Sequence, residues 1–149
     1  MASIDFQIVT PDRVVYQDHI DSVTIPTSEG EITVLPNHIP LVTILAAGEL
    51  VVRNGKEEKY MAVSGGFVTV HRQNKLVILA DTAERAEELT LEAIEQARER
   101  AKAVLEEKRG KDEVAFADAS AALERELARL KVARKHRARG NRATIISSE

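Results

Sequence analysis

The chain has no cysteine. Disulfide and thiolate chemistry are thereby excluded, and a reducing compartment is the expected setting. It has no tryptophan either, and only three Phe and two Tyr. A core built from it must rest mainly on Val, Ile and Leu. Apolar runs are short, as in Ile44-Leu45-Ala46-Ala47, far below the ~18 residues that a membrane-spanning helix needs. The opening Met1-Ala2-Ser3-Ile4-Asp5-Phe6 lacks a basic region followed by an apolar core, so no signal peptide is expected. The expectation is a soluble, cytoplasmic protein.

Catalytic patterns are missing as well. There is no Gly-rich phosphate loop ending in Lys-Ser or Lys-Thr. Ser64-Gly65-Gly66 lacks the pattern of a nucleophile elbow. His19, His38, His71 and His136 stand far apart, and without cysteine a zinc site is not expected. The carboxylate pairs Glu57-Glu58 and Glu106-Glu107 are exposed by pattern, and nothing suggests the burial that a catalytic role would need. The chain is not expected to be an enzyme.

What is present divides in two near residue 85. Up to Ala80, apolar residues alternate with polar ones, or come in short β-branched runs cut by Gly, Pro and Asn. That period of about two marks strands. Runs at Ile4–Val9, Val14–Tyr16, Ser22–Ile25, Glu31–Leu35, Leu50–Arg53, Lys59–Val63, Phe67–Val70 and Leu76–Ala80 predict an antiparallel β-sandwich of about eight to ten strands over 1–85. Pro26 should stop its strand, and Gly65-Gly66 should break the chain before Phe67. Asn54-Gly55 supplies the positive-φ pair of a type I′ hairpin turn. Pro36-Asn37-His38-Ile39-Pro40 removes two ladder donors within five residues, so it should be a shaped, exposed loop.

From Thr90 onward the period becomes about 3.6. Leu91, Ile94, Ala97 or Arg98, Ala101, Val104 and Leu105 trace one face of a first helix, with Thr90 as N-cap. Gly110 ends it, and Asp112 caps a second helix whose apolar face is Phe116, Ala119, Leu123, Leu127 and Leu130. The short connection makes the pair antiparallel. The fold class is therefore α+β, a sandwich followed by a two-helix arm over 86–139, with a flexible tail over 140–149. The first helix's stripe is rich in Ala and buries little area, so the hairpin should be marginal alone and should dock on a neighbour.

Charge follows the same division. Residues 1–83 carry 6 basic and 10 acidic side chains, residues 84–124 carry 7 and 12, and residues 125–149 carry 8 and 2. The local balances are −4, −5 and +6. A positive arm tip can meet an acidic surface.

Five stretches resemble the epsilon subunit of bacterial F-type ATP synthases: Ile8–Asp12, Ser28–Val42, Val63–Phe67, Ile78–Glu84 and Leu127–Ala133. Their order matches too, and the likeness spans nearly the whole chain. The resemblance implies a rotor subunit that joins the gamma subunit to the c-ring during proton-driven ATP synthesis. Membrane association would come only through that complex, at the cytoplasmic face of the bacterial cell membrane. It places Glu31 near a c subunit's polar loop and His38 toward gamma. It implies a mobile arm that reaches the alpha and beta subunits transiently and blocks ATP hydrolysis, with Arg134, Lys135 and Arg137 meeting an acidic segment of beta.

Some family members bind ATP, which holds the arm folded. Their motif begins the first helix, and here its Asp is Thr90 and its Arg is Ala93. Glu84, Arg100, Arg125 and Arg129 still match ATP contacts. Without the motif's charged pair, ATP binding is expected to be weak or absent, with no cofactor and no metal. Two other classes compete. An RNA-binding module using Arg134–Arg142 lacks stacking aromatics nearby, so no nucleic acid is expected. An ATP-sensing sandwich is disfavoured by Thr90 and Ala93.

Overall fold

The computed structural model describes the backbone of residues 2–147 and the side chains of residues 2–139. Eight strands come first: β1 (Ile4–Val9), β2 (Val14–Ile20), β3 (Ser22–Thr27), β4 (Gly30–Val34), β5 (Leu41–Ile44), β6 (Gly48–Asn54), β7 (Glu57–His71) and β8 (Lys75–Arg85). A single 3-10 turn, Ala86–Glu88, leads to α1 (Leu91–Lys108) and α2 (Glu113–Ser147). The strands hydrogen-bond in the order β2-β1-β8-β7-β6-β3-β4, with β5 also on β7.

The long β7 organises this sheet. It pairs with β8 from Met61 to His71. Its first half pairs with β6 and its second half with β5. The sheet folds over on itself where β7 changes partners, near Ser64–Gly66. Gly65-Gly66 therefore does not break the strand as expected. Both residues have positive φ, 65° and 118°, and bend a strand that continues. A Cβ on Gly66 would overlap the Leu79 carbonyl oxygen, so a side chain is excluded where β8 crosses most closely.

Inward residues of the strands form one core that includes Ile4, Phe6, Ile20, Ile25, Leu50, Met61, Val68 and Ile78. Val, Ile and Leu dominate it, as the scarcity of aromatics required. Three strand expectations need correction. The sandwich is not wholly antiparallel, because β1 runs parallel to β8. Chain-distant pairing of this kind leaves no mark in a local period. Pro26 does not stop β3, but pairs opposite Glu31. Ladder bonds from β3 to β6 involve only Ser22–Thr24, so its missing donor costs that ladder nothing. The β6–β7 turn is centred on Gly55-Lys56, since Asn54 pairs with Glu57. Of those two, only Gly55 has positive φ, as in a type II′ rather than a type I′ turn.

The helices are antiparallel neighbours. Gly110, at φ 72°, reverses the chain. The Asp112 carboxylate accepts from the Val114 and Ala115 N–H groups at 3.1 Å each, which caps α2. Thr90 occupies the N-cap of α1 in extended conformation, but its side chain makes no capping bond. Helix α2 lies on β6, β7 and the 3-10 turn, and α1 packs on α2. Two partners widen the buried stripe of α2 to Ala119, Glu126, Ala128, Leu130, Val132 and Ala133. Leu127, expected inside, is 47% exposed, and Val104 of α1 is 44% exposed. Helix α2 also continues to Ser147, past the end expected at 139, with no proline to stop it. Ser148 and Glu149 lie outside the described residues.

Candidate functional site

Two surfaces carry the groups that sequence reasoning singled out. The first is the joint between arm and sandwich. Val132 is fully buried against Ala62 and Ala86, with Tyr60 and Leu89 beside it. Ile94 of α1 meets Leu130 and Ala133 of α2, with Leu89 and Leu91 alongside. Leu89 thus touches both small clusters. Next to them Lys135 donates to Glu49 at 2.8 Å. That pairing raises the Lys135 pKa above its ordinary value. Arg139 donates to the Glu58 carbonyl at 3.0 Å. The Tyr60 hydroxyl donates to the Glu58 carboxylate at 2.6 Å, which raises the Tyr60 pKa and lowers that of Glu58.

Of the three cations expected to face a beta subunit, only Lys135 is held by the sandwich. Arg134 lies 3.9 Å from Glu95 of α1 and stays largely exposed. Arg137 is exposed. Three of the four candidate ATP contacts converge at the same joint. Arg129 pairs with Glu84 and, at 2.6 Å, with Glu126. Arg125 comes within 3.9 Å of Glu126. Glu126 is 5% exposed, and nothing in the sequence marked this buried carboxylate, because its apolar period passes over it. Arg100 stands apart on α1, beside Glu92, Glu95, Gln96, Arg98 and Glu99. Ala93 is exposed on α1. Among the described residues, no three His, Cys, Asp or Glu side chains are placed to hold a metal.

The second surface is an outward face of the sandwich. Ile44, Phe67 and Leu79 pair across β5, β7 and β8, which puts them in one row. They are 55%, 56% and 52% exposed. Val42, two residues from Ile44 on β5, is 69% exposed. The Pro36–Pro40 loop precedes β5. It is exposed at Ile39, and Leu35 just before it is exposed too. It is pinned by the Asn37 N–H donating to the Asn74 side chain at 2.5 Å. His38 is half-buried in this loop, with Nδ1 2.6 Å from the Ile39 carbonyl. Glu31 lies at the other end of β4, where it borders a hollow shared with Leu127, Ala128 and Lys131 of α2. The structure therefore separates Glu31 from His38. Sequence reasoning missed the apolar row. Its signal was available: Leu41–Ile44 and Phe67–Val68 are apolar on both faces of strands that should have one polar face.

The described residues contain no helix long and apolar enough to cross a membrane. A family model described as ATP synthase, Delta/Epsilon chain, beta-sandwich domain matches residues 3–86. The class is thus a delta/epsilon-type sandwich carrying a helical hairpin. The ATP synthase epsilon chain of Dehalococcoides mccartyi is 44% identical over 137 residues, 92% of this chain and 96% of that one. That of Moorella thermoacetica is 47% identical over 134 residues, 89% and 98% of the two chains. A chain in the cryo-EM structure of Euglena gracilis mitochondrial ATP synthase, OSCP/F1/c-ring, superposes with TM-score 0.75 at 30% identity, over 89% of this chain and 82% of that one. A chain of the Tetrahymena thermophila mitochondrial ATP synthase central stalk/c-ring shares the fold at TM-score 0.51 and 19% identity, over 91% and 98%. The chain belongs to the ATP synthase epsilon chain family.

Proposed function

We propose that this chain is a non-catalytic subunit of the rotating central stalk of an ATP synthase. Its sandwich couples the gamma subunit to the c-ring, and its helical arm restrains ATP hydrolysis. The observation that carries the reading is the exposed apolar row of Ile44, Phe67 and Leu79, extended by Val42. A contiguous apolar face is unfavourable in water and fits a lasting protein partner. The pinned Pro36–Pro40 loop beside it loses little entropy on binding. His38 is assigned to gamma and Glu31, at the far end of β4, to a c subunit. Arg134, Lys135 and Arg137 are assigned to an acidic segment of the beta subunit, met transiently after α2 leaves the sandwich. The place of action is then peripheral, at the cytoplasmic face of the bacterial cell membrane, held through the c-ring. No resident cofactor is assigned.

Co-purification tests the assignment. The tagged chain should capture gamma and c subunits, and joint substitution of Val42→Lys and Phe67→Lys should cut that capture by roughly tenfold or more. Both sites are exposed, so the fold should survive. Undiminished capture would sink the proposed interface. In the assembled enzyme, Arg134→Gln, Lys135→Gln and Arg137→Gln together should relieve inhibition of hydrolysis. Unchanged inhibition counts against the charge mechanism.

A further inference from the structure

Tyr60 projects from β7 beneath the basic end of α2. The Lys135 ammonium lies 5.6 Å from its ring centroid and the Arg139 guanidinium 5.0 Å. These cations are four residues apart, so both point from one face of the helix. Glu49, from the adjacent strand β6, takes the Lys135 ammonium at 2.8 Å and is itself 8% exposed. Glu58 closes the group, accepting from Arg139 through its carbonyl and from Tyr60 through its carboxylate. An aromatic face, the Glu49 carboxylate and the Glu58 carbonyl thus receive two cations, a geometry that attracts charge without needing an apolar interface.

The cations held here come from the one segment with a strong positive balance, residues 125–149. Whatever acidic partner the released arm meets, it must draw Lys135 and Arg139 out of this setting first. We infer that Tyr60, Glu49 and Glu58 form an internal dock that competes with the arm's acidic partner for Lys135 and Arg139, so that its occupancy sets how much arm is free to inhibit. The partner's identity rests on the function proposed above. The dock does not. The structure also gives the dock a distinct chemical signature. A ring without a hydroxyl retains both cation contacts, whereas a branched aliphatic side chain of similar bulk loses them. Glutamine at 49 keeps the shape of the carboxylate and loses its charge.

The test measures arm position in the isolated full chain. Because no natural cysteine is present, spin labels at Gln17→Cys on β2 and Ala117→Cys on α2 report one distance distribution. Tyr60→Leu combined with Glu49→Gln should lower the ratio of docked to released arm roughly three- to tenfold. Tyr60→Phe should leave most of the docked population in place. Lys135→Gln with Arg139→Gln, which leaves the sandwich untouched, should release the arm to the same extent. Thermal melting of the β-sheet signal confirms that each variant is folded. An unchanged distribution in both the sandwich-side and the arm-side pairs overturns the dock. In the assembled enzyme, Tyr60→Leu with Glu49→Gln should inhibit ATP hydrolysis more strongly than the parent. If the distances lengthen while hydrolysis does not respond, the dock stands and the inhibitory function proposed above fails.

Discussion

Gly65 and Gly66 illustrate how single positions shape the sandwich. At Gly65 a Cβ would meet the far end of the Asp81 side chain, which can swing aside. At Gly66 it would meet the backbone of Leu79 and Ala80, which can give way only if β8 shifts. The two neighbours should therefore respond differently. Gly66→Ala should cost at least about 2 kcal/mol, from strain at φ 118° and displacement of β8. Gly65→Asn, at φ 65°, suits a residue that tolerates left-handed backbone and should cost less. Chemical denaturation of the two variants gives the comparison, and equal losses would refute the steric account. Buried Glu126 is a second decisive position. Its carboxylate receives Arg129 and stands beside Arg125, so the interior of the arm joint is partly ionic. Breaking such a pair from one side leaves an uncompensated charge.

Among the elements, the short turn after β8 behaves as part of the sandwich. Arg85 donates twice to the Val15 carbonyl, at 3.1 and 2.7 Å, and lies over the Tyr16 ring. Glu88 accepts from Arg13 at 3.0 Å and from the Arg85 N–H at 3.2 Å. After it, Leu89 and Thr90 are extended, and α1 starts without a side-chain cap. The contacts of the sandwich therefore extend to Glu88, and Leu89-Thr90 is the extended link that precedes α1. A chain ending at Leu89 should melt as a cooperative sandwich. One ending at Arg85 should melt a few degrees lower, since it loses the Glu88 bridge, a largely exposed pair worth at most about 1 kcal/mol. Calorimetry of the two truncations checks this, and identical melting would mean that the turn after β8 adds nothing to the sandwich. Helix existence, the Gly110 reversal and the Asp112 cap were legible because their signals are local in the chain. The β1–β8 pairing, the fold-over of β7 and the exposed Leu127 were not. Each depends on what lies across the interior, and a period of two or 3.6 reports only which residues share a face. The candidate site divides in the same way. Basic residues at the arm tip stood out in the composition, whereas Glu49, Tyr60 and Glu126 became meaningful only when helix and sheet came together.

For the whole molecule, the arm is held to the sandwich by small apolar clusters plus ions, and those ions already have partners. Glu84 and Arg129 pair with each other, and Arg129 also pairs with Glu126. A nucleotide entering between α1 and α2 would have to displace the Glu126 carboxylate from Arg129 and separate Arg129 from Glu84. Thr90 and Ala93 would give it no new ionic contact at the start of α1. Breaking ion pairs that are already formed around the buried Glu126 offers a ligand little net gain, because each lost contact offsets a new one. The arm in its docked position should accordingly be insensitive to nucleotide. Calorimetric titration of the full chain with MgATP should give no saturable heat in the micromolar range, roughly −8 kcal/mol in binding terms. The spin-label distance between sandwich and α2 should be the same with and without MgATP. Tight saturable binding, or a distance distribution that narrows on adding MgATP, would mean that the internal carboxylates yield to phosphate, and that the arm is governed by nucleotide after all.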